Sequence, residues 1–191
     1  MLKFKETGDW EIMQKDMKKD RYDFNDLLKI MERLRSENGC PWDKEQTHES
    51  LRIYLIEETY EVLEALDAKD MGKFCNELGD LLLQIVFHAQ IARENGVFRI
   101  DDVITEVCKK LISRHPHIFG DVKADTSEQV LANWEAIKKK EKKLDSQTGV
   151  LKDVPKNLPA LMRSYKVQQK AAQVGFDWDD IKDVFTKVDE E

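Results

Sequence analysis

Residues that interrupt helices are scarce in this chain: 8 glycines and 4 prolines among 191 positions. No run of alternating polar and apolar residues competes as a strand, so the long periodic stretches read as helices. Cysteine is scarcer, and Cys40, Cys75 and Cys108 are odd in number, far apart and without CxxC spacing. That pattern argues against both a disulfide framework and a zinc site, and three reduced thiols are expected. No segment approaches the roughly 18 consecutive apolar residues of a membrane span, and the N-terminal stretch lacks the apolar run of a signal peptide. The expectation is a soluble, cytoplasmic protein with no membrane partner. Positive charge is also in deficit, with 31 Lys and Arg against 38 Asp and Glu, a net charge of -7. A field of that sign repels nucleic acid, so no direct nucleic-acid binding is expected, and a polyanionic small ligand needs local cations or a metal.

The length suits one domain with appendages. The fold class expected is all-α, a helical bundle. A first helix is expected over Phe24 to Ser36, with Leu27, Leu28, Met31 and Leu34 on one face and Gly39 beyond its end. The loop "ENGCPWDKEQTHES" follows, in which Trp42 and Asp43 either close a site or anchor the loop to the core. A second helix is expected from Ser50 to Ala68 and a third from Met71 to Glu94, capped by Asp70 and stopped at Gly96. Their short connection makes them antiparallel. A fourth fits Asp102 to Ser113 before "RHPHIFGD", where His115 and His117 serve to fix the helix end. A fifth starts at Thr126, which forms a capping-box pattern with Gln129. The stretch "DSQTGVLKDVPKNLPAL" reads as a linker with two prolines. Beyond it "GFDWD" at 175–179 echoes "GCPWD" at 39–43, and Glu190-Glu191 echoes Glu57-Glu58, the outline of a second copy.

The segment "LIEETYEVLEAL" at 55–66 has the apolar spacing of a packed helix but is rich in acids. Leu51, Leu55, Glu58, Val62 and Ala65 recur at steps of four and three, so Glu58 belongs to the packed seam. Glu61 lies one turn on, Glu57 sits beside the pair, and Glu64 is read as surface. The next helix, "LGDLLLQIVFHAQIA", is apolar on almost every side, which predicts burial, yet Asp80 interrupts it and Glu77 precedes it at i-3. Two antiparallel helices thus each present a pair of acids. Glu58, Glu61, Glu77 and Asp80 together repel unless a cation compensates them, and an all-oxygen set favours Mg2+ or Mn2+. Di-iron bundles require Glu-x-x-His from two helices, and here that spacing occurs at Glu45 and His48 in a loop.

The pattern Glu57-Glu58-x-x-Glu61, then Glu77-x-x-Asp80, resembles the EExxE...ExxD signature of all-α nucleoside triphosphate pyrophosphohydrolases, specifically the MazG family. Similar blocks are "GCPWDKEQTH", "ELGDLLLQIVFHA", "RHPHIFGD" and "NWEAIKKKEK", in the family's order. On this resemblance residues 1–20 lack a family match, 21–145 form a MazG-like catalytic domain, and 146–191 are linker and the truncated start of a second repeat.

The resemblance implies a homodimer or dimer of dimers that uses Mg2+ to hydrolyse nucleoside triphosphates to monophosphate and pyrophosphate. It implies Glu58, Glu61, Glu77 and Asp80 as metal ligands, and leaves Glu57 or a bridging carboxylate as the base. Lys110, Arg114, Trp134 and Lys138 match the family's nucleotide-contacting positions; Lys110 and Arg114 are spaced i, i+4, and Trp134 precedes Lys138 by one turn. Core packing and base contact both remain open for Trp134. Two alternatives stand beside this reading: a catalytically weak helical interaction module of a larger polypeptide, and a pyrophosphohydrolase acting on another phosphoribosyl nucleotide.

Overall fold

The structure is a computed structural model that describes residues 19–142, 147–172, 175–178 and 180–190. Every regular element among them is a helix. The chain divides into two compact units, Met1–Val107 and Cys108–Glu191.

In the first unit, α1 (Phe24–Leu34) begins at Asp23, whose side chain accepts from the Asp26 amide while the Asp26 carboxylate takes the Asp23 amide, both at 3.0 Å. This reciprocal cap satisfies two amides that a helix start otherwise leaves free. The helix ends two residues earlier than its apolar pattern predicts. Here the Leu34 carbonyl takes the Cys40 amide at 2.8 Å, and the Ser36 carbonyl takes the Gly39 amide at 2.8 Å. The loop so formed contains a short helix, α2 (Pro41–Glu45), started by a proline whose missing N–H costs nothing at that position.

Next come α3 (Arg52–Asp67) and α4 (Met71–Glu94), joined by a tight turn in which Lys69 has φ 57°. The Asp70 side chain caps α4, accepting from the amides of Gly72 and Lys73 at 3.0 and 2.9 Å. Gly96 ends the helix with φ 68°, while the Val97 amide reaches back to the Ala92 carbonyl at 2.9 Å. Helix α5 (Ile100–Arg114) starts two residues before the expected point, because Asp102 reaches back to the Arg99 amide at 2.8 Å and so lies inside the first turn.

Helices α3 and α4 pack along their length, and α1 lies on α4. The core unites Met31, Leu51, Val86, Phe87 and Ile91, with Leu27, Leu28 and Leu83 against it. One expectation fails. Helix α4 is not buried all round: Leu78, Leu82 and Ile85 are 43%, 38% and 41% exposed. Helices α3 and α1 are its principal neighbours and leave that face partly open, and the outer face of α3 likewise carries exposed Ile53, Ile56, Tyr60 and Leu63.

The second unit takes in the end of α5, then α6 (Pro116–Phe119), α7 (Ser127–Glu141), α8 (Gln147–Lys152), α9 (Ala160–Ala172) and α10 (Ile181–Glu190). Thr126 caps α7, accepting from the Gln129 amide at 3.3 Å; the Gln129 side chain returns to the Asp125 amide at 2.8 Å, one residue short of a reciprocal box. The stretch expected as linker is partly built: α8 lies within it, Val150 and Val154 are buried, and Lys142 binds the Asp153 carboxylate at 2.6 Å. Residues 1–18, Asp179 and Glu191 lie outside the described residues, and with them most of the N-terminal segment and part of the repeat pattern.

At Gly39 a Cβ would stand 2.1 Å from the Leu34 carbonyl oxygen, a backbone atom that cannot swing away. Gly39→Ala is expected to destabilise the protein by about 1–3 kcal/mol, as overpacking does, measured by urea unfolding.

Candidate functional site

The seam between α3 and α4 changes character along its length. On α3 the residues at steps of four and three, Leu51, Leu55, Glu58, Val62 and Ala65, are buried or half-buried, while those between them point to solvent. On α4 the matching stripe is Glu77, Asp80, Gln84, His88 and Ile91. One end of the seam is therefore acidic and the other joins the apolar core.

At the acidic end, Glu58, Glu77 and Asp80 each bring a carboxylate oxygen within 4.8 Å of the others. Glu77 is only 6% exposed, and no described residue hydrogen-bonds or ion-pairs with Glu58 or Glu77. Asp80 accepts from Asn76 at a long 3.3 Å. Glu58 carries the strain of this crowding: partial burial, then the charges of Asp80, Glu61, Glu77 and Glu57, raises its pKa above the usual carboxylate value. Glu61 is exposed and stands outside the close trio, acting on Glu58 through its charge; Glu57 is exposed as well. Glu64, read as surface, binds Lys73 and clips α3 to α4 just beyond the acids. That lysine also feels Glu77 and Glu61.

Three converging carboxylates, one of them buried without a cationic partner, fit a hard divalent cation: the donors are all oxygen and their mutual repulsion is what a cation removes. The residues that would hold it are Glu58, Glu77 and Asp80, with Glu61 one turn away.

Two features next to the acids escaped the sequence. Gln84, one turn beyond Asp80, is 6% exposed, and its Oε1 is buried without a hydrogen-bond donor among the described residues. A glutamine inside "LGDLLLQIV" was the available signal. One turn further, His88 meets His48 from the loop: the rings stack at 10°, and one Nδ1 donates to the other at 2.8 Å. Nothing in the sequence links residues forty apart. Arg35 secures the same loop, binding the Glu94 carboxylate through both Nε and Nη2 and donating to the backbone carbonyls of Asp43 and Gln46. Trp42 is half exposed and packs edge-on against Tyr54 of α3, ring centres 6.0 Å apart.

Lys110, Arg114, Trp134 and Lys138 all fall in the second unit. Arg114 is engaged by Glu141 through Nε and Nη2, at 3.1 and 2.7 Å, and Ser113 donates to the same carboxylate at 2.9 Å. Lys138 pairs with Glu135 at 2.9 Å. Trp134 is half-buried with His115 edge-on to it, ring centres 5.0 Å apart, and His115 Nδ1 donates to the Leu111 carbonyl at 2.6 Å. Lys110 is exposed and adds its charge at Glu141.

Comparison with known proteins bears on both units. The family model of the MazG nucleotide pyrophosphohydrolase domain matches residues 46–119. The chain is 51% identical over 166 residues to the nucleoside triphosphate pyrophosphohydrolase of Escherichia coli K12, spanning 86% of this chain and 63% of that one. It is 51% identical over 170 residues to the Thermotoga maritima nucleoside triphosphate pyrophosphohydrolase/pyrophosphatase MazG, spanning 88% of this chain and 64% of that one. The chain thus spans somewhat less than two thirds of the length of both relatives. Among solved structures, a mazG-related protein from Thermotoga maritima superimposes with a TM-score of 0.52 at 31% identity, covering 60% of this chain and 98% of that one.

Two outcomes follow from the charges. Glu58→Gln removes repulsion, so without divalent cations the melting temperature is expected to rise by roughly 2–4 °C, the shift about 1 kcal/mol produces at this size. The rise caused by added Mg2+ should shrink in the same variant, both read by differential scanning calorimetry. The His88 pKa is lowered below 6.5, by burial and then by His48. In the window below that value the unfolded chain takes a proton that the fold resists, so His88 contributes stability at neutral pH that is lost on acidification. Between pH 7.5 and 5.5 the decline in melting temperature should be steeper in the wild type than in His88→Gln.

Proposed function

We propose that this chain, which belongs to the MazG family, hydrolyses nucleoside triphosphates, noncanonical ones included, to the monophosphate and pyrophosphate. The observation that carries the reading is the convergence of Glu58, Glu77 and Asp80 within 4.8 Å, with Glu77 buried among apolar helices. Such an arrangement is unfavourable in the empty protein and suits charge neutralisation of a polyphosphate.

Mg2+, or Mn2+ in its place, would supply that neutralisation when bound and would orient the phosphate oxygens. The chain's own residues divide the rest of the work. Glu58, Glu77 and Asp80 hold the cation, and Glu61 completes the set from the next turn of α3. Glu57, or one of the ligating carboxylates, accepts the proton of the attacking water as its oxygen bonds to phosphorus and the anhydride P–O bond breaks. Lys110, Arg114 and Lys138 are assigned to the phosphates and Trp134 to the base, on the family resemblance and on their surroundings in the second unit. Glu141 pairs with Arg114 and Glu135 with Lys138, interactions that a phosphate would have to compete with or share.

No helix among the described residues is long and apolar enough to cross a membrane; a cytoplasmic location is proposed, as expected from the sequence. A homodimer or dimer of dimers is the assembly proposed: Ile53, Ile56, Tyr60 and Leu63 on α3, with Leu78, Leu82 and Ile85 on α4, are exposed large apolar side chains that a second copy would cover. The same surface favours the interaction-module reading should turnover be lacking.

Glu61→Ala and Asp80→Ala are each expected to reduce pyrophosphate release at least roughly a hundredfold, the scale of losing an electrostatic stabiliser of the transition state, with helicity unchanged. The assay follows pyrophosphate and monophosphate separately over a panel of canonical and modified triphosphates with Mg2+ or Mn2+. Full activity in both variants would sink the assignment; Mg2+ binding with no product from any triphosphate would favour the interaction module.

A further inference from the structure

Gln84 and Glu77 are the buried polar residues of α4 among the described residues, and Gln84 is the uncharged one. It is 6% exposed, its Oε1 is shut away from solvent, and no donor among the described residues reaches that oxygen. A buried carbonyl without a partner is destabilising, and an apolar side chain of the same length would avoid that cost. Its location is specific. Gln84 follows Asp80 by one turn on the stripe Glu77, Asp80, Gln84, about 6 Å further along the axis. Gln84 shares the packed stripe of α4 with Glu77 and Asp80 on one side and with His88 and Ile91 on the other. The carboxamide therefore lies on the seam between the acid trio and the apolar core.

The chemistry of the unmet need narrows the partner. An amide oxygen accepts, so it calls for a donor. The neighbouring carboxylates are acceptors when ionised, and so are phosphate oxygens. What brings O–H donors to this place is water: the water that fills out the coordination of a hard cation, or the water consumed in hydrolysis. A cation of this type keeps several waters when carboxylates supply only part of its shell.

We propose that Gln84 is a positioning residue whose Oε1 accepts a hydrogen bond from a water held at the Glu58–Glu77–Asp80 site, orienting that water at the end of the site nearest the core. The proposal rests on the reading of that trio as a cation site. It accounts for a polar group retained at a cost inside the apolar stretch of α4, in the way that outer hydrogen bonds around a metal are retained for orientation.

The test uses Gln84→Met, which keeps length and volume and removes the acceptor, and Gln84→Glu, which keeps an acceptor and adds charge. Three quantities are read on the full chain: the melting temperature without divalent cations, Mn2+ binding followed by water-proton relaxation, and kcat and KM for a triphosphate. The expected result for Gln84→Met is a higher melting temperature without cations, with an altered relaxation enhancement per bound Mn2+. Its kcat should fall roughly tenfold to a hundredfold, the scale of losing a hydrogen bond that supports a metal site, at nearly constant KM. Gln84→Glu should melt lower without cations and keep the wild-type relaxation enhancement. A Gln84→Met protein that melts lower while binding and turnover match the wild type makes Gln84 a core residue satisfied by a structural water, and overturns the proposal. So does a raised melting temperature with binding and turnover unchanged. If the wild type itself neither binds Mn2+ nor releases pyrophosphate, the cation-site reading fails and the role of Gln84 fails with it. A wild type that does both, matched by Gln84→Met, removes Gln84 alone.

Discussion

Like charges held close together at the acidic end of the α3–α4 seam are the constraint around which the first unit is arranged. Glu58, Glu77 and Asp80 converge within 4.8 Å, and Glu57 and Glu61 add to the field on Glu58. Left to itself, such a cluster pushes two helices apart. It is opposed from both ends. Beyond the acids, Lys73 binds Glu64 across the pair near the turn that Asp70 caps. On the other side, Leu51, Phe87, Val86 and Ile91 close into a core with Met31 of α1. Burial of such side chains is worth roughly 1.5–3 kcal/mol each, which is how an unfavourable site can be held in shape before any cation arrives.

The loop between α1 and α3 is tied down with comparable care. Arg35 leaves the end of α1 with its guanidinium over the Phe87 ring, 5.3 Å from the centre, and grips Glu94 at the far end of α4. From the same position it donates to two loop carbonyls, and the His48–His88 pair fastens the end of the loop one turn above Gln84. A partly buried, bidentate ion pair of this kind restrains geometry more than exposed pairs do. The result is that Trp42 and Tyr54 are held at the rim of the seam by contacts made elsewhere.

Much of this was legible from local pattern. The steps of four and three through Leu51, Leu55, Glu58, Val62 and Ala65 mark the face that packs, because side chains on a helix share a face at that period whatever they pack against. Asp70, Gly96 and Thr126 announce helix ends because capping is chemistry between residues a few positions apart. Pattern misled where the deciding partner is distant or the signal is averaged. The run "LGDLLLQIVFHAQIA" looks buried all round, but burial requires neighbours on every side, and Leu78, Leu82 and Ile85 remain exposed where α3 and α1 do not cover them. Prolines made 145–161 look like a linker, although Val150 and Val154 find cover. Helices α9 and α10 follow it, where no helix is expected from the sequence.

The sequence alone determined that the protein is helical, which faces of α3 and α4 meet, and that paired acids belong to those faces, since all of these depend on spacing within about two turns. Tertiary structure decided the rest. It drew Glu58, Glu77 and Asp80 together while leaving Glu61 outside the close trio, because the helix crossing sets distances that periodicity does not contain. It joined His48 to His88 and Arg35 to Glu94, and it buried the Gln84 Oε1 without a donor among the described residues. Each of those depends on chain closure over tens of residues, where no local rule reaches.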